Sequence, residues 1–485
     1  MGKHIRAFTP KIASYSIKLG RYILLCSILV LAFWIRIQMV DQIPEGQFLG
    51  NDAYLYYWQA MLISEQGQLP ARDMHRWLPL GRDLGQTLNL YSYALAYTHK
   101  ALSFLFPSLS LYQVTVYAPA VCFVIGLAFL CIFLYQTHGA LFSCIVALLL
   151  AAFPGTISRS TAGFSDRDSW CLMLGIFSVL TYLISLRTQK THKRFLWTLV
   201  SGVSTFLGGM SWEGFGVFLS VLLGVEIWRF LSSEKETGIV FYLIWVLTFV
   251  PTLYLASPAY RSGQGFATHI AAFMLGPPMA LLGLRAIRIL LISKVKRLLP
   301  HGRTVALVLT LAGIGIAIGY ASMQFDTFAS TTVPFSRNRL MQSIGELHPP
   351  HYSDWVRRYG NLFIVGSIGL ITATVQLCKK NGTLFVFPAS LFILTTFFQD
   401  PFNRLLGSEL TYNLFLGSIA LVTLISLAVT YLKRTRTKNE LATAACATWF
   451  VLWLTLARDA RRYDFFVGLP IAYFAAHTLI TFSKT

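Results

Sequence analysis

The sequence predicts an all-α polytopic membrane protein of about 13–14 transmembrane helices with two long exoplasmic loops. Three observations predict it. Of the 485 residues, 55% are hydrophobic and only 12% charged, with a mean hydropathy of +0.59, which is too apolar for an ordinary soluble domain. Long apolar runs recur along the whole chain. Charge also sorts by side once the N-terminus is set inside and the segments alternate. The inside stretches then hold 24 Lys+Arg against 4 Asp+Glu, and the outside stretches 16 against 16. Lys and Arg resist translocation, so this bias fixes an orientation with a cytoplasmic N-terminus.

The apolar segments fall near residues 21–40, 112–135, 139–155, 170–186, 195–211, 214–231, 239–256, 266–290, 304–322, 361–378, 382–398, 411–432, 441–457 and 464–482. Several are short for a full crossing. The first is long, and its exit at Asp41-Gln42-Ile43-Pro44 lacks small residues, so it reads as a helix and not as a cleaved leader. Pro277-Pro278 falls inside the eighth and predicts a kink there. The whole of 1–485 reads as one transmembrane domain, with no C-terminal soluble domain after the last apolar segment.

Two outside stretches are long. Residues 41–111 carry Leu55, Trp58 and Leu62, then Leu88, Tyr91, Leu95 and Leu102, at helical spacing. They predict amphipathic helices lying in the interface, anchored by Trp and Tyr. Residues 323–360 are rich in Ser, Thr, Pro and Arg and read as a mobile loop. The basic stretches Lys3–Arg21, Lys190–Arg194, Lys294–Arg303 and Lys433–Lys438 flank helices on the inside. They imply contact with anionic lipid of the bilayer and exclude nucleic acid as the partner. Seven cysteines lie in or beside apolar segments without disulfide or metal spacing, and read as small core residues.

Carboxylates gather only outside. Asp52 opens the first loop, in Gly50-Asn51-Asp52-Ala53-Tyr54. Asp166 and Asp168 form an Asp-x-Asp in Ser158-Arg159-Ser160-Thr161-Ala162-Gly163-Phe164-Ser165-Asp166-Arg167-Asp168. Glu346 stands in Ser343-Ile344-Gly345-Glu346. Converging carboxylates repel one another, and a divalent cation relieves that cost; oxygen-only ligation favours Mg²⁺ or Mn²⁺ over zinc. The bland alternatives are that Asp168 caps the helix beginning at Ser169, and that Glu213, in Ser211-Trp212-Glu213-Gly214, is structural. The last outside turn, Arg458-Asp459-Ala460-Arg461-Arg462-Tyr463-Asp464, breaks the positive-inside bias. Its arginines suit an anionic partner such as phosphate, or else ion pairs with Asp459 or Asp464.

In order and spacing, these elements resemble the catalytic subunit of oligosaccharyltransferase, the STT3/PglB/AglB family of membrane glycosyltransferases of the GT-C type. The resemblance covers most of the membrane part. It implies that Asp52 binds the metal and faces the acceptor, that Asp166 is a metal ligand, and that Asp168 supports the metal site. It also implies that Glu346 closes over the site and that Arg462, with Arg461 as the neighbouring candidate, holds the lipid-linked phosphate. Asp52, Asp166 and Glu346 are then the catalytic set; Asp52, Asp166, Asp168 and Glu346 the ligand set for Mn²⁺ or Mg²⁺. The family's Trp-Trp-Asp-Tyr-Gly motif is absent from this sequence, and 411–457 adds two helices before the arginine. The implied activity is metal-dependent, inverting transfer of a sugar or oligosaccharide from a polyprenyl-phosphate or -pyrophosphate donor on the exoplasmic side. The acceptor is a protein, or alternatively a glycan or lipid, with acceptor recognition open to a partner subunit. A prokaryotic plasma (inner) membrane is favoured over the endoplasmic reticulum. The rival class is a lipid-linked-sugar transporter or a non-catalytic scaffold.

Overall fold

Each of the fourteen apolar segments contains a helix in the computed structural model, which describes residues 2–261, 273–324, 344–432 and 438–483. In chain order the helices are α1 (Gly2–Ile37), α2 (Asn51–Gln66), α3 (Leu90–Ser103), α4 (Leu111–His138), α5 (Ala140–Ala152), α6 (Pro154–Ile157), α7 (Asp168–Arg187), α8 (Thr191–Ser211), α9 (Gly216–Ser232) and α10 (Ile239–Ala256). They continue as α11 (Gly276–Lys294), α12 (Gly302–Gln324), α13 (Tyr352–Tyr359), α14 (Leu362–Cys378), α15 (Val386–Phe397), α16 (Gln399–Leu406), α17 (Ser408–Leu432), α18 (Lys438–Asp459) and α19 (Asp464–Phe482). The protein is a multi-pass, all-α membrane protein.

Among the described residues, ten helices are long and apolar enough to cross a bilayer. Two bent pairs, α13 with α14 (91°) and the helix ending at Phe397 with α16 (95°), raise the number to twelve if each is one crossing. The figure of 13–14 is reached only by adding α5 and α8. The first is 13 residues long, short of the ~20 a full span needs. The second opens on Thr-His-Lys-Arg and is diluted by serine and glycine. Pro277 and Pro278 stand in the first turn of α11, where an imino nitrogen forfeits no intrahelical bond. A turn at Leu275 separates α11 from helix at 273–274, and the earlier part of the expected eighth segment, 266–272, lies outside the described residues.

The 41–111 stretch does form helices, but α2 and α3 pack on each other. Tyr56, Ala60 and Ile63 meet Tyr91, Leu95 and Ala96 in a cluster of their own. Between them a two-stranded antiparallel ribbon, β1 (Arg72–Asp73) and β2 (Arg82–Asp83), presents the exposed Trp77, Leu78 and Leu80. Residues 325–343, which include Ser343 and half of the second long loop, lie outside the described residues, as do 433–437 of the last basic stretch. None of the seven cysteines is in a disulfide.

The final helix, α19, is buried along almost its whole length. It lies against α14 through Gly366 and Gly369, because a Cβ on Gly369 would stand 2.0 Å from the Phe474 carbonyl oxygen. That close approach carries α19 through the middle of the bundle and fixes the turn before it.

One end of the bundle holds a buried ion network. Glu226 of α9, fully buried, accepts from Arg229 Nη1 (2.5 Å) and Arg285 Nη1 (2.5 Å). Arg285 and Arg288 of α11 in turn hold the two oxygens of Glu236 (2.5 and 2.6 Å). Removing one member leaves an unpaired buried charge, which costs about 3–5 kcal/mol. Glu226→Ala is therefore expected to lower the thermal unfolding temperature in detergent sharply. Glu409→Ala, at an exposed position on α17, is expected to stay within about 0.5 kcal/mol of the parent.

Candidate active site

The opposite end of the bundle gathers the turns that the charge bias assigns to the outside. Its foundation is Arg36, at the end of α1 and fully buried. Arg36 donates through Nε to Ser160 Oγ (2.7 Å), through Nη1 to the Ala32 and Ala151 carbonyls (2.9 and 3.2 Å), and through Nη2 to Leu150 O (3.2 Å) and Thr156 Oγ1 (3.4 Å). Its guanidinium lies 3.7 Å from the centre of the Phe123 ring. Its carbonyl accepts from Ala162 N (2.8 Å) and Thr161 Oγ1 (3.0 Å). The turn 158–167 is thereby tied to the first span at several points. Gly163 within it has φ +89, and a Cβ there would stand 2.4 Å from Ile43 Cδ1, so only glycine fits.

This turn presents Arg159 to the acids. Arg159 Nη1 donates to Asp168 Oδ2 (2.6 Å) and lies 3.8 Å from Asp166 Oδ2; Nη2 donates to Glu346 Oε2 (2.7 Å). The other Glu346 oxygen, Oε1, accepts from Arg462 Nη1 (3.2 Å). Burial opposes the charge on Arg159, but Asp168 and Glu346 outweigh it and hold the guanidinium above its ordinary pKa. Arg167, next to Asp166, pairs with Glu213 (3.2 Å).

The predicted residues are thus largely brought together. Asp166 and Asp168 are buried on the turn and at the start of α7. Asp52 is exposed in the first turn of α2, close enough for its charge to act on Asp166. Glu346 sits on a short 3-10 turn, half-buried. Arg462 faces this group, whereas Arg461 is directed to Asp354 (3.6 Å) and donates its backbone N–H to the His348 carbonyl (3.0 Å). Asp168 is not an N-cap. Arg167 holds that position, and the Asp168 carboxylate is spent on Arg159. Asp459 and Asp464 pair with Arg458 (2.7 Å) and Arg358, not with Arg462. Glu213 braces Arg167 at the outer turn between α8 and α9.

The expected four-carboxylate metal shell is not assembled. Among the described residues no three His, Cys, Asp or Glu side chains gather at one point as metal ligands, because Arg159 stands among Asp166, Asp168 and Glu346. The chemistry of a hard-cation site nonetheless remains at Asp166. Burial, then the charges of Asp168 and Asp52, push its carboxyl up to about 7, with Arg167 and Arg159 offsetting only part of the effect. An oxygen-only set with uncompensated repulsion fits Mg²⁺ or Mn²⁺.

Sequence reasoning gave no role to Arg159 or Arg36. A signal existed for both: Arg36 ends an apolar run, and Arg159 stands seven and nine residues ahead of the two acids of the Asp-x-Asp.

Fold and site together define a multi-pass helical membrane protein with a cluster of acids and arginines at one end of its bundle. Residues 22–434 match the family described as oligosaccharyl transferase STT3, N-terminal, and the chain belongs to that family. Among relatives, it is 28% identical over 236 residues to dolichyl-phosphooligosaccharide-protein glycotransferase 2 of Archaeoglobus fulgidus, covering 48% of this chain and 37% of that one. It is 26% identical over 394 residues to the STT3B subunit of dolichyl-diphosphooligosaccharide–protein glycosyltransferase of Oryza sativa subsp. japonica (75% and 51%). The chain thus spans about half the length of these relatives or less. The fold is that of the Archaeoglobus fulgidus oligosaccharyltransferase AglB, seen in a complex with an inhibitory peptide and a dolichol-phosphate (TM-score 0.64, 15% identity, 96% of this chain and 51% of that chain). It is seen equally in the form tethered to an acceptor peptide (TM-score 0.65, 15% identity, 97% and 50%).

The raised carboxyl of Asp166 has a pH signature. Its folded pKa of about 7 lies above the ordinary 3.8, so the folded state binds more protons than the unfolded state between these values. The stabilisation is complete below about pH 4 and is lost as pH rises through about 7. In EDTA-treated protein the unfolding temperature is expected to fall by a few degrees over that window. Asp166→Asn is expected to make the profile shallower.

Proposed function

We propose that this chain is a glycosyltransferase that moves a sugar or oligosaccharide from a polyprenyl-phosphate or -pyrophosphate donor to a protein acceptor on the exoplasmic face. The observation that carries the reading is the convergence, at one end of an apolar bundle, of Asp166 and Asp168 from one turn, Glu346 from a second and Arg462 from a third. The names of the relatives, all protein glycosyltransferases, favour a protein over a glycan or lipid acceptor. A transporter would place its ionisable groups along a mid-membrane path. Here the acids and arginines of the pocket cluster at one end, and the ion network of Glu226 at the other.

In this mechanism the Arg462 guanidinium binds the donor's phosphate and stabilises its charge as the glycosyl–oxygen bond breaks. The acceptor nucleophile approaches from the side of Asp52 and Glu346, which orient it and take its proton. The new bond forms opposite the departing phosphate, inverting the sugar centre. A divalent cation, Mn²⁺ or Mg²⁺, would be held at the Asp166 carboxylate, and would supply further neutralisation of negative charge. The polyprenyl tail lies among the helices, within the bilayer of a prokaryotic plasma membrane, and a partner subunit supplies further acceptor recognition.

The test is transfer from a lipid-linked oligosaccharide in membranes, with products read by mass spectrometry. Asp166→Ala and Glu346→Ala are each expected to lower transfer at least about 100-fold without loss of folded protein. Full activity in both would end the proposal. Chelation is expected to abolish turnover and Mn²⁺ to restore it. Arg462→Ala is expected to raise the donor KM by about tenfold or more, an energy of about 1.4 kcal/mol, and Arg461→Ala to leave it nearly unchanged.

A further inference from the structure

Glu346 is held in a way that a metal ligand or a proton acceptor does not require. Each of its two oxygens is taken by a different arginine, Oε2 by Arg159 (2.7 Å) and Oε1 by Arg462 (3.2 Å). The two guanidiniums come from positions 303 residues apart and converge on a single small anion. Both are fixed from behind. Asp168 anchors the other arm of Arg159 (2.6 Å), and Ser169 Oγ donates to its carbonyl (2.9 Å). The turn bearing Arg462 is tied down by the Arg461 N–H on the His348 carbonyl (3.0 Å) and by Tyr359 OH on the Asp464 carbonyl (2.6 Å). The carboxylate between them is the less secured member. Its side chain is 38% exposed against 9% for Arg159 and 19% for Arg462.

Two planar forks aimed at one point match the oxygens of a phosphate at least as well as those of a carboxylate. We propose that Arg159 and Arg462 together form the cradle for the donor's phosphate, and that Glu346 fills this cradle until the donor displaces it. The inference rests on the donor chemistry proposed above and adds Arg159 as a second phosphate-binding residue. Displacement exchanges one anion for another across the same pair of cations. It also releases the Glu346 carboxylate toward the acceptor side at the moment when the donor is seated. Arrival of the donor and readiness of the carboxylate are then one event.

The cradle makes a prediction opposite to that for an ordinary binding residue: removing the negative charge of Glu346 tightens phosphate binding. The probe is farnesyl pyrophosphate, titrated into the full chain in detergent with EDTA present and binding followed calorimetrically. Glu346→Gln is expected to bind about three- to tenfold more tightly than the parent, the range set by one half-exposed ion pair. In the Glu346→Gln background, Arg159→Lys and Arg462→Lys are each expected to weaken binding by a similar factor. Equal or weaker binding by Glu346→Gln overturns the proposal, and because Glu346 is half exposed this variant folds independently of the arginines. No effect of Arg159→Lys in the Glu346→Gln background overturns the role of Arg159, since a residue that merely braces Glu346 has nothing left to brace. Absence of sugar transfer by the parent, with the binding pattern intact, would refute the glycosyltransferase reading and leave the cradle standing.

Discussion

Burying a guanidinium within an apolar bundle is costly unless its donors are satisfied, and Arg36 meets that condition by reaching across three parts of the chain. Its Nε and both terminal nitrogens are each bound to oxygen from α1, from the end of α5, or from the turn that follows α6. Its own carbonyl is bound by that same turn. Everything charged at this end depends on the anchorage. Arg159 is the next residue but one from Thr161, and its reach to Asp168 and Glu346 is set by where the turn is pinned. A shorter or neutral side chain at position 36 would leave buried carbonyls without donors and the turn without a fixed height relative to the first span.

From that anchor the pocket is assembled by charges alternating in sign across chain segments far apart in sequence. Arg159 touches acids from α7 and from the Glu346 turn, and the Glu346 turn touches the arginine before α19. The close approach of α19 to α14 at Gly369 fixes the position of that last arginine from the membrane side. Rigid helices thus position a site whose functional groups sit on turns and in the first turns of α2 and α7, and among Arg159, Glu346 and Arg462 the half-exposed Glu346 is the least buried.

The spans were legible because a bilayer imposes a length of apolar chain, and every segment read from hydropathy contains a helix. What hydropathy did not disclose was direction. The right-angle bends at Gly360-Asn361 and at Phe398 interrupt no apolar run strongly enough to mark a corner, and α5 is apolar throughout yet only 13 residues long. In the site, the acids were visible as residue types on one side. Their partners were not, since ion pairing between positions such as 159 and 346 depends on three-dimensional closure and leaves no periodicity. The four-carboxylate shell has the same origin: the acids are legible as ligand types, whereas the pairing of Arg159 with Asp168 and Glu346 is not.

The ion ladder at the other end of the bundle bears on how the protein is made. Glu226 and Arg285 belong to apolar segments separated by a further span, α10. Glu226 has a first partner in Arg229 of its own helix, whereas Arg285 has its partners only in Glu226 and Glu236 and without them would face hydrocarbon as an uncompensated charge, which lipid tolerates poorly. The helix with the acid emerges from the ribosome first, so the base enters a bilayer in which its partners already stand. Completion of the network is then cooperative across this block of the chain, and a truncation between the two would leave Glu226 with one arginine in place of two.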